Sequence, residues 1–292
     1  MDTAHRSIAR RLAVRTALLV ALVTVVPWPA SGGATPGASP AAPAVTSAGC
    51  LRDRVLVLGH RGTGPGTRTI GGQAFSENSL AAFEQALRVG ADGVEADYWP
   101  TADGRIATHH DPTLDRMTPG RGRLGSTPWA RVSLARLPSG DRVPTFGAVA
   151  AALAPYDAHR QQEVKHGAAF SNGQLRRMVA TDLSASDPGR VLYTSSEPRT
   201  LARIDAIDPR VRVGLIARDP TSRPVIEALP AWLDAVLVDL RAVDADWVGH
   251  AEEVGLQVSA RGVDTVADLH RAADLGVTRV LTDRPEVVGR AC

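Results

Sequence analysis

Val55-Leu56-Val57-Leu58-Gly59-His60-Arg61-Gly62 is an apolar run that ends in an imidazole and a guanidinium. Ser76-Glu77-Asn78-Ser79 and a helical pattern follow, leading to Gly93-Val94-Glu95-Ala96-Asp97. The stretch closes on Ile106-Ala107-Thr108-His109-His110-Asp111. Three β-type runs therefore carry titratable side chains at or near their C-terminal ends. In parallel α/β folds the site lies at that end of the strands. The stretch reads as part of a catalytic mouth.

Working outward, β-type and helical segments alternate to about residue 288, which argues for a parallel α/β fold. Strands are expected at Val55–Gly59, Val94–Tyr98, Ile106–His109, Gln162–Lys165, Val191–Thr194, Val211–Ile216, Ala235–Val238, Gln257–Ser259 and Arg279–Leu281. These are nine runs for the eight places of a closed barrel, so one is expected to be an extra or edge strand. The tight turn Thr101–Gly104 between the second and third runs does not suit a doubly wound sheet. Helices are expected at Ser79–Val89, Phe146–Leu153, Ser171–Thr181, Pro198–Ile207, Asp246–Val254 and Val266–Leu275. Asn78 would cap the first, which stops at Gly90, and Thr145 would cap the second.

Residues 1–49 differ in kind. Arg6, Arg10, Arg11 and Arg15 precede an apolar run from Ala17 to Val26, and a Pro, Ala, Ser and Gly-rich tract follows. This is the layout of a secretory signal peptide, and the run is short for a bilayer span, which needs about 20 apolar residues. An uncleaved anchor is the alternative, and Arg10-Arg11 permits a twin-arginine route. The chain has 33 Lys and Arg against 31 Asp and Glu, a formal charge of +2. Four of those arginines and one aspartate lie in the leader, so residues 50–292 carry −1. No basic stripe there suits nucleic acid or an anionic membrane surface. The two cysteines, Cys50 and Cys292, stand at the ends of this domain. An oxidising compartment, an even count and the close termini of a closed barrel favour a Cys50–Cys292 disulfide.

The chain resembles the glycerophosphodiester phosphodiesterase family. The likeness rests on His60-Arg61-Gly62, Glu77-Asn78, Gly90-Ala91-Asp92-Gly93-Val94-Glu95-Ala96-Asp97, and Thr101-Ala102-Asp103-Gly104 leading to His110-Asp111. It continues through Pro112-Thr113-Leu114-Asp115-Arg116-Met117-Thr118, Val143-Pro144-Thr145, Glu163-Val164-Lys165 and Thr282-Asp283-Arg284-Pro285. The resemblance implies an α/β TIM (β/α)8 barrel with a small insertion after the third strand, and residues 112–144, rich in Gly, Pro and Arg, fit that insertion.

Glu95 and Asp97 at i and i+2 place two carboxylates on one strand face. Like charges that close call for a cation, and all-oxygen ligation suits one Ca²⁺ or Mg²⁺. The resemblance makes Glu163 the third acidic ligand. Lys165 is the only lysine in the chain. A compact ammonium does what a guanidinium cannot in a tight site, so Lys165 is expected at the substrate phosphate, with Arg61 as a bidentate fork. His60 and His110 form the natural acid–base pair. Alternation should turn His109 to the opposite face, and Glu77 is expected to support the site. His159, His166, His250 and His270 are expected at the surface. The glycine-rich loop Thr63–Phe75 is expected to fold over the mouth.

The implied reaction is hydrolysis of a glycerophosphodiester to sn-glycerol 3-phosphate and an alcohol, catalysed by a secreted, cation-dependent enzyme. The attacking oxygen is water or the neighbouring glycerol hydroxyl, the latter through a cyclic phosphate. Two other readings stand beside it. A lysophospholipase D or sphingomyelinase D-like enzyme would want an apolar, aromatic-rimmed mouth, and the chain is 4% aromatic. A non-catalytic secreted barrel would not need the carboxylates and histidines together. Residues Val258-Ser259-Ala260-Arg261 and Ser195-Ser196-Glu197 depart from the family pattern where the alcohol should bind. Oligomeric state is not legible.

Overall fold

A computed structural model describes residues 54–217, 226 and 228–291. The leader and both cysteines lie outside the described residues, so the expected signal peptide and Cys50–Cys292 bridge do too.

Eight parallel strands close into a barrel: β1 (Leu56–Gly59), β4 (Gly93–Pro100), β6 (His159–Val164), β7 (Val191–Ser195), β8 (Arg212–Ile216), β9 (Ala235–Asp239), β10 (Gln257–Arg261) and β11 (Arg279–Thr282). Closure comes from β1, which pairs with β11 on one side and β4 on the other. The ninth run is β5 (Ile106–Thr108), which lies antiparallel to β4 with Trp99 opposite Ala107. The Thr101–Gly104 turn is too short for a crossover, so the chain can only fold back. The insertion leaves from this third run, which in barrel count sets it between the second and third parallel strands. It packs on its own small core of Leu114, Met117, Leu124, Val132, Leu137 and Val143 beneath Trp99.

The alternation of side chains explains why the strands read as nearly continuous apolar runs. Val57, Val94, Ala96, Val191, Val213, Val236, Val258 and Val280 point outward and join the core beneath the helices. Leu58, Leu237 and Leu281 have the opposite parity and meet separately inside the bore. The helices are α1 (Leu80–Arg88), α2 (Trp129–Val132), α3 (Phe146–Leu153), α4 (Asn172–Ala185), α5 (Pro198–Asp205), α6 (Ala245–Glu253), α7 (Val266–Asp274) and α8 (Pro285–Val288). Thr145 caps α3 as expected, accepting from the Ala148 amide at 3.1 Å. The cap of α1 is Ser79 rather than Asn78: the Ala82 amide donates to the Ser79 hydroxyl, and Asn78 is used elsewhere.

The loop expected over Thr63–Phe75 is a hairpin, β2 (Thr67–Ile70) and β3 (Gln73–Ser76). Gly71 and Gly72 both have positive φ, 59° and 83°, as a two-residue turn with the hairpin's own twist requires. Arg68 ties it to the Asp283 carbonyl and Glu286, and the Ser139 amide donates to Ser76 Oγ. It stands beside the mouth and does not line it.

One buried polar network holds α4 to the sheet. Asp182 accepts hydrogen bonds from Tyr193 Oη at 2.7 Å, Gln162 Nε2 at 3.1 Å and Arg160 Nη1 at 3.3 Å. Arg160 is 1% exposed, so Asp182→Ala leaves a buried cation without its partner. Such losses cost about 3–5 kcal/mol, which should lower Tm by roughly 10 °C. A urea titration showing less than about 1 kcal/mol would mean that Asp182 is not the counter-charge.

Candidate active site

The first βα turn is built around two glycines. A Cβ at Gly59 would fall 2.1 Å from the Gly62 carbonyl oxygen, and one at Gly62 would fall 2.7 Å from the Ala82 backbone. This tight path puts Arg61 in the left-handed region at φ 51°, which is uncommon for a residue with a side chain. Its amide is thereby aimed at Glu95 Oε2, 3.0 Å away. Asn78, also left-handed at φ 59°, donates its amide to the Arg61 carbonyl. Its side chain clasps Asp97, donating Nδ2 to Oδ2 at 2.8 Å and accepting from the Asp97 amide at 3.1 Å. Two strained residues thus lock two strand ends together.

At the C-terminal end of the bore, Glu95 and Asp97 on β4 meet Glu163 on β6, in register with Asp97. One oxygen from each lies within 4.8 Å of the others. Burial and the Asp97 charge push Glu95 up to about 8. Burial works against the Asp97 carboxylate as well, yet Lys165 and Arg61 hold it well below the usual range. Lys165 Nζ sits within this group, 3.0 Å from Asp97 Oδ1 and 2.6 Å from Glu163 Oε1. Three converging carboxylates on two adjacent strands, one of them resisting ionisation, fit a hard divalent cation.

Both expected histidines line the same cavity of about 360 Å³, together with Arg61, Glu95, Glu163, Lys165, Ser196 and Arg261. Each is held at Nδ1 by a carboxylate, His60 by Asp283 at 2.6 Å and His110 by Asp111 at 2.7 Å. That fixes the tautomer and leaves Nε2 for the mouth. Burial acts to lower the His60 pKa, but the Asp283 hydrogen bond and the Glu95 charge raise it above the ordinary value. Burial dominates at His110, whose pKa is lowered. His109 is buried behind its neighbour, its Nδ1 against the Asp111 carbonyl, and does not line the cavity.

Glu77 is not among the converging carboxylates. It is a buried anion bonded to Arg61, Arg116 and the Gly66 amide. Arg116 also donates to Asp111, so one guanidinium joins Glu77 to the carboxylate that holds His110. Neither Arg116 nor Asp283 is assigned a role by the residue pattern, although both lie in quoted motifs. Their partners are 39 and 223 residues away, and no spacing rule reaches that far. Among the remaining histidines, His166 is exposed beside Glu197, but His159 and His250 are partly buried, contrary to expectation. His159 opens β6 at the other end of the barrel, where strand starts enclose it.

Against known proteins, the glycerophosphoryl diester phosphodiesterase family matches residues 60–287, from His60 through most of α8. The chain belongs to this family. A glycerophosphodiester phosphodiesterase of Caldanaerobacter subterraneus subsp. tengcongensis is 25% identical over 242 residues, 80% of this chain and 96% of that one. Glycerophosphodiester phosphodiesterase 1 of Bos taurus is 48% identical over 73 residues, covering 25% of this chain and 20% of its own. Among solved structures, a phosphodiesterase of Oleispira antarctica in complex with the product sn-glycerol-3-phosphate superposes with a TM-score of 0.66. It is 20% identical and covers 81% of this chain and 96% of its own. At that identity the likeness shows the fold, a TIM barrel, and the mouth described above is this family member's own.

Proposed function

We propose that this chain is a secreted, divalent-cation-dependent phosphodiesterase that hydrolyses glycerophosphodiesters to sn-glycerol 3-phosphate and an alcohol. The observation that carries the reading is the cluster of Glu95, Asp97 and Glu163 beside two carboxylate-held histidines, with Glu95, Glu163 and both imidazoles lining one cavity. Family membership supports the reaction class. Secretion rests on the arginine-then-apolar pattern of residues 1–26, and no helix among the described residues is long and apolar enough to cross a membrane.

Glu95, Asp97 and Glu163 would hold one Mg²⁺ or Ca²⁺, whose chemistry is Lewis-acid polarisation of a phosphoryl oxygen. Arg61 lies against Glu77 and Asp97 with its fork at the cavity, where it orients the diester and stabilises charge on the non-bridging oxygens. One imidazole takes the proton of the attacking hydroxyl at Nε2, and the other delivers a proton from Nε2 to the departing alkoxide. Asp283 and Asp111 keep both rings in the orientation that each transfer needs. Leu237, Leu281 and Ile216 form an aliphatic floor, and the described lining residues include no Phe, Tyr or Trp, which suits a small alcohol rather than an acyl chain.

Choline release separates the substrate classes. Glycerophosphocholine should be turned over with kcat/KM at least about 10² above that for lysophosphatidylcholine, the worth of some 3 kcal/mol of differential binding. The reverse order would assign the mouth to lysolipids.

Lys165→Arg should not be conservative. The ammonium fits between two carboxylate oxygens at 3.0 and 2.6 Å, where a planar guanidinium would push Glu163 aside. A loss of about 10² in kcat/KM is expected from such misplacement. Turnover near that of the unmodified chain would show that the lone lysine is an accident of composition.

A further inference from the structure

The bore changes character along its axis. Carboxylates crowd its C-terminal end, Leu58, Leu237 and Leu281 fill the middle, and cations gather where the strands begin. Arg279, the first residue of β11, lies two before Leu281 and so shares its inward face. It stands in register with Leu56 and Ser259, and the residue is 3% exposed. Its Nη1 is enclosed without a hydrogen-bond partner, and no ion pair compensates it among the described residues. The charged group that acts on it is Arg212, another cation; with burial first, this brings its pKa down to about 9, so it is still charged at neutral pH. Further donors on the inward face are also unengaged. Gln161, 1% exposed, has neither Nε2 nor Oε1 bonded, and His159 Nδ1 is enclosed without a partner. Burial, then the charges of Arg279 and Arg190, push His159 down to about 4, so its ring is neutral and can donate.

A buried cation beside another cation needs a counter-charge. A cavity of about 430 Å³ opens on this end of the barrel, lined by Leu56, Asp92, Asp157, His159 and Arg190 among others. Its carboxylates are already engaged: Asp157 pairs with Arg190 at 2.6 Å, and Asp92 accepts from the Val57 amide at 2.9 Å. We propose that the N-terminal end of the barrel binds a small inorganic anion, chloride or phosphate, on the Arg279 guanidinium with Gln161 Nε2 and His159 Nδ1 as further donors. The site is separate from the mouth and does not rest on the catalytic reading. It would make folding stability depend on the anion supplied.

Thermal melts at constant ionic strength test this, with sodium gluconate as the bulky reference and chloride or phosphate exchanged for it. Saturation should raise Tm by roughly 3–6 °C, because ligand bound to the native state alone stabilises it. The chloride and phosphate arms identify the anion. R279M should lose the increment, while its kcat is unchanged and its Tm in gluconate is no lower than that of the unmodified protein. An increment that persists in R279M belongs to the mouth and overturns the proposal, as do equal Tm values in all three salts. Should R279M not fold, crystals of the unmodified protein soaked in bromide give the answer. An anomalous peak within hydrogen-bonding reach of Arg279 Nη1 supports the site, and its absence refutes it.

Discussion

His60→Ala and His110→Ala should each lower kcat by about 10² to 10⁴, the usual worth of a positioned acid or base. Both rings line the cavity and each is fixed by a carboxylate, so neither loss should be made good by a neighbour. His109→Ala should be mild, since that ring is buried behind His110 against the Asp111 carbonyl. The leaving group separates the two roles. With p-nitrophenolate, which departs without protonation, the variant lacking the general acid should recover much of its rate, and the variant lacking the base should not. Equal recovery of both, or damage confined to His109→Ala, would contradict the acid–base pairing.

Removing one carboxylate should be as severe for turnover while improving the cation-free protein. Glu95→Gln should abolish the rise in Tm that Mg²⁺ or Ca²⁺ produces and lower kcat/KM by about 10³ or more, the scale of losing electrostatic stabilisation in the transition state. Stability in chelator should move the other way. The Glu95 pKa in the folded chain, about 8, is above its ordinary value of 4.5. A carboxylate raised in this way costs no stability below its unfolded pKa, and the folded state loses stability as pH climbs from about 4.5 towards 8. The cation-free E95Q variant should therefore melt above the unmodified protein at pH 8 and level with it near pH 4. A cation response that survives E95Q would remove Glu95 from the ligand set.

The barrel was legible because its strands carry two periodicities at once. Outward valines and inward leucines give continuous apolar runs, and the titratable residues cluster at the far ends of the first runs, as at His60, Glu95 and His110. The supernumerary run was visible as a count but not as an identity until Ile106–Thr108 folded back on β4. The hairpin carried its own signal in Gly71-Gly72, which composition alone turned into a loop. Asn78 shows a subtler limit. It is a good cap by residue type, yet a left-handed backbone turns its amide to Asp97 and leaves Ser79 to start the helix.

The positioning residues were harder to see for a physical reason. Asp283 and Arg116 act through contacts closed by the barrel, and nothing in their local sequence marks the partner. Buried arginines are harder still. Arg160 and Arg279 belong to a residue type that is almost always exposed, and only the three-dimensional surroundings show that one is paired with Asp182 and the other is not.

The central claim is that the mouth hydrolyses glycerophosphodiesters with the help of a cation held by Glu95, Asp97 and Glu163. The direct measurement is sn-glycerol 3-phosphate released from glycerophosphocholine by the purified protein, before chelation, after it, and after Mg²⁺ or Ca²⁺ is returned. With the cation in that role, release should stop on chelation and resume with one of the two ions. Release indifferent to chelation, or no glycerol phosphate under either ion, would contradict it.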